Sequence, residues 1–117
     1  MSVWKYFEVA ARVATMKDDR RTFRLGAVGV RTDGVMVAAC NGPVRKHTDV
    51  VKQAHAESRL IRKLDKGSVV YVVRIAREDD EYRIARPCRA CQVALKSRKV
   101  SKVYYTVGPG EYGVMTF

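Results

Sequence analysis

The sequence has few cysteines and no long apolar run. Only three of its 117 residues are cysteine. An odd, small number does not build the disulfide framework of a secreted domain and suits a reducing compartment. No apolar stretch approaches the length of a membrane-spanning helix. Near the start, Lys5 and Glu8 fall where a signal peptide needs an unbroken apolar run. We therefore expect a cytoplasmic protein with no membrane partner.

Acidic residues are scarce relative to basic ones. The chain has 12 Asp and Glu against 23 Lys and Arg, a formal net charge of +11. Such an excess attracts phosphate, whether on a nucleotide or on a nucleic acid. The basic residues are scattered, however, and many small basic proteins bind nothing specifically. Charge alone therefore favours a phosphate-bearing partner only modestly.

No internal repeat, linker or low-complexity tract divides the chain. Apolar residues make up 47% of it, which argues against disorder, and 117 residues suffice for one core. We expect a single domain over residues 1–117.

Apolar spacing and turn residues predict the order α-β-β-α-β-α-β, with a last short strand. The predicted elements are a helix over 3–16, strands over 25–31 and 35–41, a helix from Gln53 to a stop at Gly67, a strand over 68–76, a helix over 88–99, a strand over 100–108 and a closing segment over 112–117. This order implies an α/β fold, a mixed sheet with helices packed on its faces.

Three details of this fold follow from local sequence. Asp33-Gly34 is expected to supply the positive φ angles of the first hairpin. The strand over 68–76 is apolar almost throughout, which is typical of a strand buried on both faces. Only a short link precedes the closing segment, and a parallel return needs about a dozen residues or more, so this segment should run antiparallel.

Two segments carry groups suited to metal chemistry. One is His55-Ala56-Glu57 and the other is Pro87-Cys88-Arg89-Ala90-Cys91, and each begins a predicted helix directly after a loop. The helix dipole favours thiolate at such a position. Two thiolates and one imidazole are a typical ligand set for zinc. Three ligands leave the fourth tetrahedral position for water, as in a catalytic zinc site.

This ligand set indicates a hydrolytic reaction. Zinc-bound water ionises near pH ~7 instead of ~16, so hydroxide is available under neutral conditions. Glu57 lies close in sequence to the proposed ligand His55 but is not needed as a ligand itself. Its carboxylate is suited to carry a proton from water to a departing amine. A lone CxxC also marks redox sites and structural zinc knuckles, and a lone HxE is usually a satisfied pair. Together, in this order, they favour a catalytic zinc.

With these motifs the sequence resembles the cytidine deaminase-like zinc-dependent deaminases, the cytidine/deoxycytidylate deaminase superfamily. The resemblance covers most of the chain. It rests on Gly26-Ala27-Val28, the turn Asn41-Gly42-Pro43, the HAE motif at 55–57, the PCRAC motif at 87–91 and VYYT at 103–106. It implies a three-layer α/β/α fold with a mixed sheet of about five strands and helices on both faces. It also implies a homo-oligomer.

The resemblance also implies roles for individual residues. His55, Cys88 and Cys91 would bind Zn²⁺, and Glu57 would be the general acid and base. Asn41 would hydrogen-bond the substrate, at its sugar, and the backbone of Ala56 would lie near the base.

Four other residues have open roles. Arg86 and Arg89 flank Pro87-Cys88. There they could offset the thiolate charge or bind a substrate phosphate, and the alternative is that they only form a solvated basic start of the helix. Tyr104 and Tyr105 point to opposite faces of their strand, so at most one of them faces a given pocket. Tyr105 is our candidate for stacking on a base, against the alternative of core packing.

The predicted function is hydrolytic deamination of cytosine in a nucleoside or nucleotide, with zinc-bound hydroxide attacking C4. The histidine ligand and the Asn41-Gly42-Pro43 turn are similar to deoxycytidylate deaminases, so a deoxycytidylate-like substrate is slightly preferred. The short C-terminal link is closer to the free cytidine deaminases. The alternatives are a deaminase of tRNA or single-stranded DNA, suggested by the charge, and a non-catalytic zinc-stabilised nucleic-acid-binding module.

Overall fold

The computed structural model describes residues 3–15, 23–40 and 60–117. The helices and strands within them are α1 (Val3–Thr15), β1 (Phe23–Val30), β2 (Met36–Cys40), β3 (Val69–Ala76), β4 (Tyr82–Arg83), α2 (Arg89–Ser97), β5 (Lys102–Gly108) and β6 (Glu111–Thr116). A 3₁₀ turn spans Ile61–Lys63. Among these described residues, no helix is long and apolar enough to cross a membrane.

The strands form one mixed sheet in the order β2-β1-β3-β5-β6, with β4 also paired to β3. Only β3 and β5 run parallel, and all other pairs are antiparallel. The predicted mixed sheet and the antiparallel last strand are both confirmed. The sheet has six strands where about five were expected, because the two-residue strand β4 had no signal of its own in the sequence.

The first hairpin forms where predicted, but Asp33 does not take the positive φ assigned to it. Gly34 alone does, at 87°. The Gly34 amide donates to Arg31 O at 2.9 Å and the Arg31 amide to Val35 O at 2.9 Å, which encloses a three-residue loop. Such a loop is a type I turn followed by one left-handed residue, so it needs a single glycine.

The prediction that the second helix ends at Gly67 is wrong. Helical structure in this region ends with Ile61–Lys63, and Leu64 is already extended, with ψ 154°. Leu64 turns into the core, where it is buried. Gly67 instead serves the following turn with φ 89°, and its amide donates to Lys99 O at 2.8 Å.

Helix α1 covers one face of the sheet. Its buried residues Phe7, Ala10 and Ala14 pack against Val28 of β1 and Val73 of β3. The approach is close at Gly26 of β1, because a Cβ there would lie 2.1 Å from Ala10 O. Position 26, the first of the Gly26-Ala27-Val28 segment, must therefore be glycine so that the helix and the strand can touch.

Tyrosine rings extend this packing across the sheet. Tyr6 of α1 stacks on Tyr71 of β3 at 4.5 Å between ring centroids, and Tyr71 stacks on Tyr104 of β5 at 5.2 Å. Tyr105 packs with the cluster on the other face, so the predicted opposite orientation of these neighbours is confirmed.

The second face is covered by α2 and by the segment that begins at Leu60. Leu60, Leu64 and Leu95 lie in one buried cluster with Val70 and Val72 of β3. Strand β3 thus buries alternate side chains on both of its faces, as its sequence predicts. The described helices lie on opposite sides of the sheet, which gives the expected three layers.

The carboxylate of Asp65 ties this second layer to the first hairpin. It accepts hydrogen bonds from Ser68 Oγ at 2.6 Å and from Thr32 Oγ1 at 2.5 Å. The hydrogen bonds from Ser68 and Thr32 lower the pKa of Asp65 from 3.8 to about 2. The charged form is therefore the one that the folded state stabilises.

We expect this contact to make stability depend on pH in the acid range. Because the folded pKa is depressed, the contribution of Asp65 is complete above pH 3.8 and is lost as the pH falls towards about 2. In urea unfolding, the stability difference between wild type and Asp65→Asn should shrink across that window. A difference that stays constant through the window would contradict the assignment.

Candidate functional site

The two parallel strands β3 and β5 stop pairing before their carboxyl ends. They pair from Val69–Lys102 to Val72–Tyr105. Beyond that point β4 pairs with β3 instead, at Ile75–Tyr82. The carboxyl ends of parallel strands, where neighbouring connections diverge, are the usual place for a ligand site in an open α/β sheet.

Thr106 of β5 holds the segment that follows β4. Its side chain is fully buried, and its hydroxyl donates to Arg83 O at 2.8 Å. Its carbonyl accepts from the Ala85 amide at 2.8 Å. The segment after β4 is thereby anchored to β5, and it delivers Pro87 and Cys88 to the carboxyl edge of the strands.

The turn between β3 and β4 is fixed by ion pairs on its outer side. Arg83 donates to Asp79 Oδ2 at 2.7 Å, and the hydrogen bond from Arg83 lowers the pKa of Asp79. Arg24 of β1 pairs with Asp80, which takes a left-handed conformation with φ 57°. The acidic cluster thus forms the turn that the sequence predicts.

Helix α2 begins at the cysteine pair. Cys88 is the N-cap residue, with ψ 165°, and its side chain makes no capping hydrogen bond. The Gln92 amide donates to Cys88 O at 2.9 Å, and Gln92 Nε2 donates to Pro87 O at 2.8 Å. These two bonds fix the first turn, so the position of the cysteines is set by the backbone.

The two cysteines fit a soft metal ion. They stand three residues apart, so both lie on one side of the first helical turn. Cys88 is exposed, Cys91 is 3% exposed, and none of the three cysteines forms a disulfide. Two thiolates at a helix N-terminus suit zinc both in ligand type and in local potential.

Three other predicted site residues lie within the described chain. Arg86 and Arg89 are exposed on either side of Pro87-Cys88. Tyr105 is half-buried on the α2 side of the sheet. A Cβ added to Gly113 of β6 would lie 2.6 Å from the hydroxyl oxygen of Tyr105, so the Tyr105 ring covers that glycine. The arginines therefore flank the cysteine pair, and Tyr105 packs on the same face of the sheet.

The remaining predicted site residues, Asn41, His55, Ala56 and Glu57, lie outside the described residues. Within residues 3–15, 23–40 and 60–117, no three His, Cys, Asp or Glu side chains form a group able to hold a metal ion. The structure thus places two of the four residues predicted to act at the metal, Cys88 and Cys91.

Sequence reasoning missed the residues that support the cysteine pair. Thr106 looked like an ordinary strand residue, and Gln92 like a helix-surface residue. Only the strand pairing reveals that Thr106 faces the incoming segment. The hydrogen bond of Gln92 had a weak signal, since a side-chain amide in the first turn of a helix often satisfies nearby backbone groups.

Comparison with known proteins agrees with this geometry. The family described as "Cytidine and deoxycytidylate deaminase zinc-binding region" matches residues 2–107, which include both motifs. No curated protein matches the chain with significance.

Several solved structures share the fold. Cytidine deaminase from Burkholderia pseudomallei is 23% identical with a TM-score of 0.70, and the match covers 99% of this chain and 93% of that one. The dCMP deaminase from cyanophage S-TIM5 is 22% identical with a TM-score of 0.64, over 90% of this chain and 82% of that one. Cytidine deaminase from Mycobacterium leprae is 16% identical with a TM-score of 0.65, and the match covers 99% of this chain and 93% of that one. With the family match spanning most of its length, the chain belongs to the cytidine and deoxycytidylate deaminase family.

Proposed function

We propose that the chain is a zinc-dependent hydrolase, a single catalytic domain that removes the amino group of cytosine in a nucleoside or nucleotide. The observation that supports this most is the cysteine pair on the first turn of α2, at the carboxyl edge of β3 and β5. The family match spans this pair and the HAE motif.

In this proposal His55, Cys88 and Cys91 hold the ion. One histidine and two thiolates give a neutral site with Zn²⁺, and the ion, when bound, supplies the Lewis acidity that lets water react at neutral pH. Glu57 takes a proton from the attacking water and passes it to the ring nitrogen of cytosine. The oxygen adds to C4 as the double bond from C4 to that ring nitrogen opens. Glu57 then carries the remaining hydroxyl proton to the amino nitrogen, the bond from C4 to that nitrogen breaks, C4 keeps the oxygen as a carbonyl, and ammonia and the uracil product leave.

The other site residues orient the substrate. Asn41 hydrogen-bonds the sugar, and the backbone of Ala56 contacts the base. Tyr105 borders the base pocket from β5, on the face of the sheet that carries α2.

A 5′-phosphate is the group that Arg86 and Arg89 suit best. Both are exposed beside the cysteine pair, and neither forms an ion pair with any carboxylate of the described residues. Guanidinium groups bind phosphate with two parallel hydrogen bonds. We therefore propose deoxycytidylate as the preferred substrate, although the antiparallel β6 is the connection expected of free cytidine deaminases.

Ammonia release from cytidine, deoxycytidine, dCMP, adenosine and an oligonucleotide tests this proposal. We expect the highest kcat/KM for dCMP. Arg86→Gln/Arg89→Gln should lower it by more than about 100-fold, since hydrogen bonds to charged groups contribute about 1.5–3 kcal/mol each and about 1.4 kcal/mol is tenfold. Turnover of deoxycytidine, which has no phosphate, should stay unchanged in the same variant. Equal losses on both substrates would contradict a phosphate role.

The same panel addresses a second candidate function. The net charge of +11 also suits a deaminase that acts within a polynucleotide. That function predicts ammonia release from the oligonucleotide in preference to dCMP, whereas zinc without ammonia from any substrate would indicate a non-catalytic module.

A further inference from the structure

A second basic surface lies at the other end of α2. We name it the distal patch, and it consists of six exposed cationic residues: Arg62, Lys66, Lys96, Arg98, Lys99 and Lys102. The neighbouring Lys63 is not part of it, because its Nζ donates to Ala38 O of β2 at 2.8 Å. They come from two chain segments, 62–66 and 96–102. In the sequence these cations are scattered, and only the fold brings them together.

Hydrogen bonds to backbone carbonyls join the two segments. Arg98 Nε donates to Leu64 O at 3.0 Å, and Arg98 Nη2 donates to Arg62 O at 3.4 Å. The Gly67 amide donates to Lys99 O at 2.8 Å, and β3 and β5 start side by side at Val69 and Lys102. The cations are thus held on one surface, and the guanidinium of Arg98 is fixed by two carbonyls.

Carboxylates of the described residues do not neutralise this surface. None of the six cations forms an ion pair with them. Asp65 is the one acidic residue within the two segments, and its carboxylate accepts hydrogen bonds from Thr32 and Ser68. Cations that share one surface repel one another, and a bound polyanion relieves that repulsion.

The distal patch is separate from the cysteine pair. Cys88 and Cys91 lie at the N-terminus of α2, and Lys96, Arg98 and Lys99 lie at or just beyond its C-terminus. A helix of nine residues is about 13 Å long. One phosphate at the cysteine pair therefore cannot also contact the patch.

An exposed aromatic ring borders the patch. Phe117 is 42% exposed, its amide donates to Ser101 O at 3.4 Å, and the preceding Thr116 pairs with Lys102. Surfaces that bind single-stranded nucleic acid combine cations along the path of the sugar-phosphate backbone with exposed aromatic rings on which bases stack. Exposed Ser97 and Ser101 add hydroxyl donors of the kind that contact phosphates.

We propose that the distal patch binds the sugar-phosphate backbone of single-stranded nucleic acid, with Phe117 stacking on a base. This binding is independent of the proposed deamination, since it uses the opposite end of α2. It needs several phosphates in a row, so a free nucleotide does not satisfy it.

The test is the affinity of the full chain for a fluorescent single strand of about 20 thymidines, which contains no cytosine. Two phosphate contacts in a single strand change the slope of log K against log[salt] by about 1.4. Lys96→Gln/Lys102→Gln should therefore reduce the slope by about that amount and weaken binding about 25-fold at 0.1 M salt. Neither side chain makes a hydrogen bond or ion pair with the described residues.

A matched variant separates the patch from net charge. Lys5→Gln/Arg12→Gln replaces two exposed cations of α1, and both double variants lower the formal charge from +11 to +9, since 11 − 2 = 9. We expect this control to bind nearly as well as wild type. Phe117→Ala should weaken binding about tenfold while leaving the salt slope unchanged, because stacking releases no counterions.

Three results would overturn the proposal. Equal losses in the two double variants would indicate attraction by net charge alone. Tighter binding to a duplex of the same length would exclude a single-strand surface. Patch-dependent binding to vesicles of anionic phospholipid, without binding to the oligonucleotide, would assign the patch to a membrane surface. Circular dichroism and ammonia release from deoxycytidine should be the same in all variants.

Discussion

Replacing Cys91 by serine should remove the bound zinc and deamination together. Cys91 is 3% exposed on the first turn of α2, so its sulfur is fixed by the core on which the helix packs. Serine keeps nearly the same shape but offers an oxygen that remains protonated at neutral pH, and zinc prefers a thiolate. Loss of supporting residues alone lowers metal affinity about 10- to 100-fold, so loss of a ligand should exceed about 100-fold.

The third cysteine provides the matched control for this variant. Cys40 ends β2, where it pairs with Gly26 and is half-buried, and it is not one of the predicted zinc ligands. Cys40→Ser should keep one zinc per chain and most of the activity. The measurement is zinc content after dialysis against a weak chelator, with ammonia release assayed on the same samples. A Cys91→Ser protein that retains zinc and turnover would show that the cysteine pair is not the metal site.

Replacing Glu57 by glutamine should stop catalysis while the metal stays bound. In our proposal Glu57 carries the proton and is not a ligand, so its loss leaves the ligands His55, Cys88 and Cys91 intact. General acid-base catalysis by one side chain contributes about 10²- to 10⁴-fold, and the fall in kcat should lie in that range. Because glutamine still hydrogen-bonds the substrate, KM should change much less than kcat.

An exposed glutamate on the other face of the sheet provides the control. Glu8 lies on α1, which covers the face opposite α2, and Glu8→Gln changes the charge by the same amount as Glu57→Gln. It should leave both zinc content and turnover unchanged. Loss of zinc in Glu57→Gln would instead make Glu57 a ligand, and unchanged turnover would remove it from the chemistry.

Elements with strong local patterns were predictable from the sequence. The helical spacing of Trp4, Phe7 and Ala11 predicted α1, and the unbroken apolar run predicted β3 as a strand buried on both faces. The antiparallel direction of β6 followed from the length of its link to β5, because a short connection has only one geometry available.

Features decided by contacts between distant segments were not predictable. Strand β4 is two residues long and exists because Thr106 and β3 hold it from both sides. Gly67 looked like a helix stop, but Leu64 leaves the helix earlier in order to reach the core. Both outcomes depend on tertiary packing, which overrides local propensity.

The candidate site shows the same division. The spacing of Cys88 and Cys91 predicted a pair on one helical turn, and the structure places that turn just after the segment that Thr106 anchors to β5. The predicted partners His55 and Glu57 lie outside the described residues, so their approach to the cysteines stays a prediction. So do the substrate contacts of Asn41 and Ala56 and the homo-oligomer implied by the family resemblance.

The most direct test of the central claim is ammonia release from dCMP and cytidine by the purified chain, with zinc measured on the same preparation. We expect about one zinc per chain, as the predicted set of three protein ligands requires. Ammonia should appear in step with the uracil product and fall to background in Glu57→Gln. A folded, zinc-loaded protein that releases no ammonia from either substrate would contradict the account.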